Sequence, residues 1–476
     1  MLIWILYAIL LIILHTIFLN WKINKLFKGT PGPLVIPILG NFHNLDVFYL
    51  DSFDRLSKKY GPVFRLMFGG NPCAVISHPE LIREAFVRKY TKYSNRPFTE
   101  SLKHIYMLKD PAECGIAFSQ YGKDYIHKKQ IFIQKMLKKS LVQKIEESID
   151  SEIQRASEHI RNNNEFVVKE VTNQIAFNVI ALLSMSQRIG DTTETPVKRL
   201  QEVGELASVI MGVPMLGDYI PWMQIFETKK RREFYDLLDQ RNEIMRGILA
   251  QRKKVFDPNH PRDILDEFLL ESMDDDAVIM ALLEIFFGGT ETSYVFLTWA
   301  IHALAEYPEI QEKLHNDIMK GSDAYLEAVV HETHRRFTIA PTFIPHVLAE
   351  DDTLGNCFLP KGTIVFANWW GVAHSPELWK DPYSFRPERW LEMTESQKSE
   401  TAKIFFPFSL GPRQCPGMNL AELETRKVLK SLVKEFKFSW GPAAKKMSFK
   451  ERWEVCVALV SAPKAVGLTC IAEPRV

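Results

Sequence analysis

One cysteine stands where a metal or an electrophile could meet it. In Phe408-Ser409-Leu410-Gly411-Pro412-Arg413-Gln414-Cys415-Pro416-Gly417 the sulfur follows a loop rich in glycine and proline and precedes a helical pattern running from Asn419 to Val433. The free N–H groups and dipole of a helix N-terminus favour the thiolate, which is the form that binds metal. Gly411 and Gly417 leave room for a large flat group to approach the backbone. Phe408 is placed to shield the sulfur from water, and Arg413 to pair with a carboxylate of that flat group.

A second constellation lies inside an apolar helical run, Met280 to Leu304, where Gly288-Gly289-Thr290-Glu291-Thr292-Ser293 is polar. So apolar a helix must be buried, and the polar patch therefore needs a reason. The two glycines let a flat ligand come close. The Thr292 hydroxyl, bonding back to the carbonyl four residues earlier, would loosen the helix and open a groove for oxygen and water. Glu332 and Arg335, three apart on the helical pattern Tyr325 to Arg336, share a face and can pair. His346 alone would read as an ordinary core or surface group.

Together these segments resemble the cytochrome P-450 family. The cysteine loop matches FxxGxRxCxG at each specified position, and the Gly288–Ser293 patch looks like the (A/G)Gx(D/E)T(T/S) oxygen-activation motif. Glu332–Arg335 resembles the ExxR helix, Phe385-Arg386-Pro387-Glu388-Arg389-Trp390 the PERF/PERW element, and Ile344–Val347 the PHxV segment. The resemblance implies haem b with Cys415 as the axial thiolate of the iron. It implies Arg413 and His346 on the haem propionates, Gly288 and Phe408 beside the cofactor, and Glu291 and Thr292 guiding protons. Arg389 would complete a structural triad with Glu332 and Arg335.

The implied activity is a monooxygenase that inserts one atom of dioxygen into a lipophilic small molecule. Its electrons would come from NADPH through NADPH-cytochrome P-450 reductase, with cytochrome b5 as a further candidate partner. Two rivals stand beside it. An oxygen-independent haem-thiolate isomerase or dehydratase of lipid hydroperoxides would need no relay, and Glu291 and Thr292 argue against it. A membrane-bound haem sensor would need Cys415 and no reductase. The family's WxxxR is replaced by Tyr125 and Lys129, so propionate anchoring loses the arginine fork. The connection Asp317 to Ser322 and the run before Met280 are shorter than the family shows, which bears on folding.

These residues need a scaffold, and its pattern is mainly α (α+β), one large helical domain with small β-sheets behind an N-terminal transmembrane helix. Leu2 to Leu19 is apolar except at His15 and Thr16, close to the length that spans a bilayer. Trp4 and Trp21 bracket it, and Lys22, Lys25 and Lys28 follow, which places the remainder in the cytosol and the protein as a single pass in the endoplasmic reticulum membrane. A cleaved signal peptide would need a basic start and a small-x-small site that the sequence lacks. Residues 2–20 read as the anchor, 21–40, with Pro31-Gly32-Pro33, as a stiff basic and proline-rich hinge, and 41–476 as the catalytic domain.

Within that domain the expected strands are Val63–Met67, Cys73–Ser77, Thr363–Ala367 and Glu454–Leu459, with a helix over Pro79–Arg88. Lys123 to Leu314 is mostly helical, with breaks at Gly212-Val213-Pro214, Pro221 and Asp257-Pro258. Pocket candidates are Pro97–Phe118, Val203–Met215, Phe287, Ile339–Phe343 and Ser448–Trp453. The apolar stretch Val209–Phe226, with Pro221-Trp222, reads either as a membrane-dipping segment or as packing. Lys427 and Lys430 read either as reductase contacts or as a solvated face.

Composition narrows the class. Fifty-nine basic against 58 acidic residues leave a net charge of +1, so no basic field gathers nucleic acid. Six cysteines without CxxC spacing imply neither disulfides nor a zinc finger. Hydrophobic residues at 46% and charged residues at 25% exclude disordered, collagen-like and coiled-coil classes.

Overall fold

The apolar run at the start folds as a single helix, α1 (Leu2–Leu26), in the computed structural model of the chain. The structure describes residues 2–46, 49–107, 115–136, 138–188, 196–211, 216–271, 273–453, 455–457, 460–463 and 467–475. α1 runs six residues past the expected anchor boundary, because nothing breaks it before Lys28 and Gly29 turn the chain at φ 47° and 88°. Its outer part is exposed, whereas Ile23 and Phe27 are buried. The segment that follows is pinned to the domain rather than serving as a free spacer. Asn20 exchanges hydrogen bonds with Val35, the Arg65 N–H donates to Pro31, and the Thr30 hydroxyl donates to the Phe358 carbonyl.

The helices that matter for the site are α2 (Tyr49–Tyr60), α3 (Lys123–Met136), α4 (Lys139–Asn162), α5 (Val168–Met185), α6 (Pro196–Met211), α7 (Thr228–Lys254), α8 (Ile264–Leu270), α9 (Asp275–Glu306), α10 (Pro308–Met319), α11 (Ala324–Phe337) and α12 (Met418–Glu435). α9 is the central one. It is continuous over 32 residues, and the polar patch Gly288–Ser293 lies within it, as the helical run Met280 to Leu304 implies. α5 packs so closely that a Cβ on Gly289 would come within 2.5 Å of Ile180, and that packing holds the helix through its polar patch. α1 and α9 are both long and apolar enough to cross a membrane, but 56% of the α9 span is buried inside the protein. α9 is therefore the core helix.

The strands are β1 (Val63–Phe68), β2 (Asn71–Ile76), β3 (Glu165–Val167), β4 (His346–Val347), β5 (Ile364–Ala367), β6 (Phe436–Trp440) and β7 (Thr469–Pro474). One sheet has the order β1-β2-β5-β4 and another β3-β7-β6. β1 and β2 form an antiparallel hairpin, β2 runs parallel to β5, and His346 on β4 faces Val365 of β5 in antiparallel register. The sheet near the N-terminus is thus completed by strands from the second half of the chain, and it carries His346. Helices and small sheets are segregated, as the patterning implies.

One local expectation changes, and others are met as far as the described residues reach. Pro79–Arg83 is an α-helix that continues as a π turn through Arg88. In the range 454–459 the described strand is Val455–Val457, paired with Ser461–Pro463, and the rest falls outside the described residues, as does Gly212-Val213-Pro214. The short connection after α10 is a closed turn, with Gly321 at φ 76° and the Tyr325 N–H donating to Asp317 at 2.8 Å. α9 likewise starts cleanly on the Asp274 side chain, which accepts from Asp276. Neither shortening leaves a broken end.

Candidate functional site

The cysteine loop is tight because its backbone leaves no room for side chains. Gly411 lies at φ 68°, and a Cβ there would sit 2.0 Å from the Phe86 carbonyl oxygen. Ser409 is held at φ 60°. The Cys415 N–H donates to the Phe408 carbonyl at 2.9 Å and closes the loop just before α12. Phe408 is half-buried with its ring against His334, 5.1 Å between centroids. The Cys415 sulfur is accessible and lines a cavity of about 300 Å³ with Lys129, Met418 and Leu423 among its walls.

Burial pushes the Cys415 thiol up, against the Gly417 N–H and the Lys129 charge, which pull it down. The Gly417 N–H and the Lys129 ammonium are the local groups that favour the thiolate. A coordinating cation would impose that form outright.

α3 braces the loop. The Tyr125 hydroxyl donates to Pro412 at 2.8 Å, and the Lys129 ammonium donates to Pro412 at 2.6 Å and to Gln414 at 2.9 Å. Arg413 stacks 3.8 Å from the Tyr125 ring centroid and donates to the carbonyls of Ser94, Ile116 and Ser119. These side chains grip backbone carbonyls of the loop and of the segment facing it.

Sequence reasoning missed Arg96. It is 6% exposed and donates to the carbonyls of Ala117, Ile344 and Pro345. Burial and the neighbouring Arg413 charge bring it down to about 9, and burial with Arg413 brings Lys129 down to about 8. Among the described residues, neither arginine has a carboxylate within ion-pair distance. The His346 Nδ1 is bonded to the Tyr93 carbonyl, its ring lies parallel to Phe86 at 4.0 Å, and its Nε2 is buried without a partner. Burial, Arg96 and Arg413 hold His346 well below the usual imidazole range.

Two buried guanidiniums, a lysine and a histidine with a bare ring nitrogen form an uncompensated cationic cluster beside a recessed sulfur. Such a cluster calls for a dianion. A haem, with two carboxylates and an iron that takes a sulfur ligand, fits this donor set. With Nδ1 committed to a carbonyl, His346 donates to a carboxylate only as the imidazolium, a state the incoming charge would favour.

On α9 the open position is Gly288. It is exposed in the middle of a buried helix, and a Cβ there would meet nothing within 4 Å. The Thr292 hydroxyl donates to the Gly288 carbonyl at 2.7 Å without breaking the helix. Glu291 is half-buried, and its burial raises its pKa against the field of Lys169. Ser293, turned toward α12, donates to the fully buried Glu424 at 3.0 Å, and burial pushes Glu424 up to about 8.

The Glu332 carboxylate is the hub of a separate buried network. Arg335 donates to both of its oxygens at 2.9 Å, Arg389 to one at 3.1 Å and the Trp390 indole to the other at 3.0 Å. Among the pocket candidates, Phe287 comes within 3.7 Å of a Cβ built on Gly204 of α6, whereas Trp453 stacks on Phe337 and Trp299 at 5.1 and 5.9 Å and belongs to the core. Lys427 and Lys430 are each paired, with Asp150 and Asp323, which reduces the field they offer a docking partner.

A family model described as cytochrome P450 matches residues 30–468. Among curated relatives, cytochrome P450 1A1 of Opsanus tau is 27% identical, covering 88% of this chain and 87% of its own. Probable cytochrome P450 516B1 of Dictyostelium discoideum is 27% identical over 92% of this chain and 94% of its own. Cytochrome P450 2J2 of Homo sapiens is 29% identical over 90% and 89%.

Proposed function

Since the chain belongs to the cytochrome P450 family and is a haem-thiolate monooxygenase, we propose that Cys415 is its axial ligand, that its substrate is a lipophilic small molecule, and that its electrons come from NADPH through NADPH-cytochrome P-450 reductase. The carrying observation is the braced Cys415 loop beside a buried cationic cluster that, among the described residues, has no carboxylate within ion-pair distance. When bound, the haem supplies the redox centre at which dioxygen takes up two electrons, one oxygen atom entering the substrate and the other leaving as water.

The chain's own residues do the rest. Arg96, Arg413 and Lys129 neutralise the two carboxylates, and His346 adds a donor once protonated. Gly288 leaves the space in which substrate and oxygen meet. Glu291 holds a proton more readily than an exposed glutamate because it is buried, and Thr292, anchored on the Gly288 carbonyl, orients its hydroxyl oxygen beside that space.

For location we propose a single-pass anchor in the endoplasmic reticulum membrane with the domain on the cytosolic side. The exposed apolar face of α1 supports it, as do the exposed Ile225 and Phe226 at 74% and 73%. Tyr219, just before them, contacts Asn71 and Phe42, so this apolar patch lies on the side of the domain that adjoins the hinge.

The test is the absorption spectrum of the reduced, carbon-monoxide-bound protein. A strongly red-shifted Soret band that Cys415→Ser abolishes is expected. A band typical of imidazole ligation in the wild type would overturn the ligand assignment.

A further inference from the structure

Arg241 on α7 is a buried charge that the cofactor site does not use. Its side chain is 1% exposed, and among the described residues no carboxylate lies within ion-pair distance of it. Nη2 donates to the Ile105 carbonyl at 2.8 Å and to the Asn242 side-chain oxygen at 2.7 Å, and Nε donates to that same oxygen at 3.1 Å. Both acceptors are neutral. The two N–H groups of Nη1 have no partner among the described residues. Asp239, whose field reaches the guanidinium, is exposed and forms no ion pair with it. Burial brings Arg241 down to about 10, so it is still a cation at neutral pH.

The place of this charge is what gives it a use. The guanidinium stands over the Phe287 ring, 6.0 Å from its centroid, and Phe287 directly precedes Gly288, where α9 opens. The same ring approaches α6, at 3.7 Å from a Cβ built on Gly204. Ile105, whose carbonyl Arg241 holds, ends the short helix Glu100–Ile105. Four helices therefore meet around one uncompensated cation, and the half-buried side chains of Ile105 and Phe287 beside it are apolar. A neutral donor would serve the Ile105 carbonyl equally well. A full charge in so desolvated a place is costly unless an opposite charge comes to it.

We propose that Arg241 is a specificity-determining residue that receives the carboxylate of an amphiphilic substrate, whose apolar chain then runs along Phe287 toward Gly288. One cation matches one negative charge, and Nη1 supplies the charge-assisted donors. The anion site stands on the surroundings of Arg241 itself, and what the far end of the chain meets rests on the haem reading of the site. Arg241→Met removes the charge and keeps much of the side chain's length, whereas Arg241→Lys keeps the charge and loses the planar fork.

The experiment uses the full-length, haem-loaded protein and two probes of equal chain length, dodecanoate and 1-dodecanol, titrated by the shift of the Soret band and by calorimetry. The wild type is expected to bind dodecanoate about tenfold tighter than the alcohol. Arg241→Met should weaken dodecanoate by about tenfold and leave the alcohol's dissociation constant within about twofold, and Arg241→Lys should keep part of the preference. A wild type that binds the two probes equally, or prefers the alcohol, would overturn the proposal. So would equal weakening of both probes in Arg241→Met, which is the mark of damaged packing around Ile105. Should Arg241→Met fail to fold, the two probes on the wild type still decide. A wild type without the red-shifted carbon monoxide band would remove the haem reading, and calorimetry would still show whether Arg241 selects the anion.

Discussion

The Lys129 ammonium reaches the Pro412 carbonyl oxygen at 2.6 Å across 283 residues of sequence, so a helix far from the cysteine loop fixes the backbone three residues before the sulfur. Lys129→Met leaves Tyr125 on Pro412 and strips Gln414 of the donor that Lys129 gives it. The Gln414 carbonyl is exposed and can turn to water, and Pro412 keeps one of its two donors, so the loss costs about 0.5 to 1 kcal/mol. The expected outcome is faster haem loss and a smaller fraction of protein with the thiolate-type carbon monoxide band, while Lys129→Arg keeps a donor and most of that fraction. Equal haem retention in Lys129→Met and wild type would show that the brace is idle.

Gly288 and Gly289 are adjacent in sequence and opposite in consequence. A methyl at 288 enters open space, whereas one at 289 lands 2.5 Å from Ile180 on α5. Gly289→Ala should lose about 1 to 3 kcal/mol through overpacking, visible as a lower melting temperature. Gly288→Ala should leave the protein as stable or raise stability by up to about 1 kcal/mol through helix propensity, and alter azole binding instead. A reversed order of melting temperatures would contradict the packing described.

Glu332 serves two arginines and an indole, and Glu332 and Arg335 are both fully buried. Removing the carboxylate strands two buried guanidiniums. Glu332→Ala should cost about 3 to 5 kcal/mol and give little folded protein on expression, measured by soluble yield and thermal melting. Arg389→Met leaves Glu332 with Arg335 and should be milder. Equal losses in the two variants would mean that Glu332 is no hub.

The parts legible in the sequence are those whose cause is local. Gly411, Pro412 and Gly417 punctuate the chain around Cys415, and the spacing of Glu332 and Arg335 puts both on one face of α11, so loop and pair could be read directly. Arg96, Arg241 and Glu424 could not. Each is a lone charge whose meaning comes from partners well over a hundred residues away, such as Ile344 for Arg96 and Ile105 for Arg241.

Glu424 gives the stability of this protein a sign in pH. Its carboxyl is fully buried with Ser293 donating to one oxygen and nothing on the other, and burial raises it from 4.5 to about 8. Between those values the folded state holds a proton that the unfolded state releases, so the contribution is complete below about pH 4.5 and fades as pH rises through 8. Over that interval the integrated effect is roughly 3 to 5 kcal/mol by linkage. Urea unfolding of the wild type should therefore lose stability from pH 5 to 8 relative to Glu424→Gln, whose neutral amide cannot titrate. Parallel profiles for the two proteins over that range would show that Glu424 is ionised in the fold, held by partners other than Ser293.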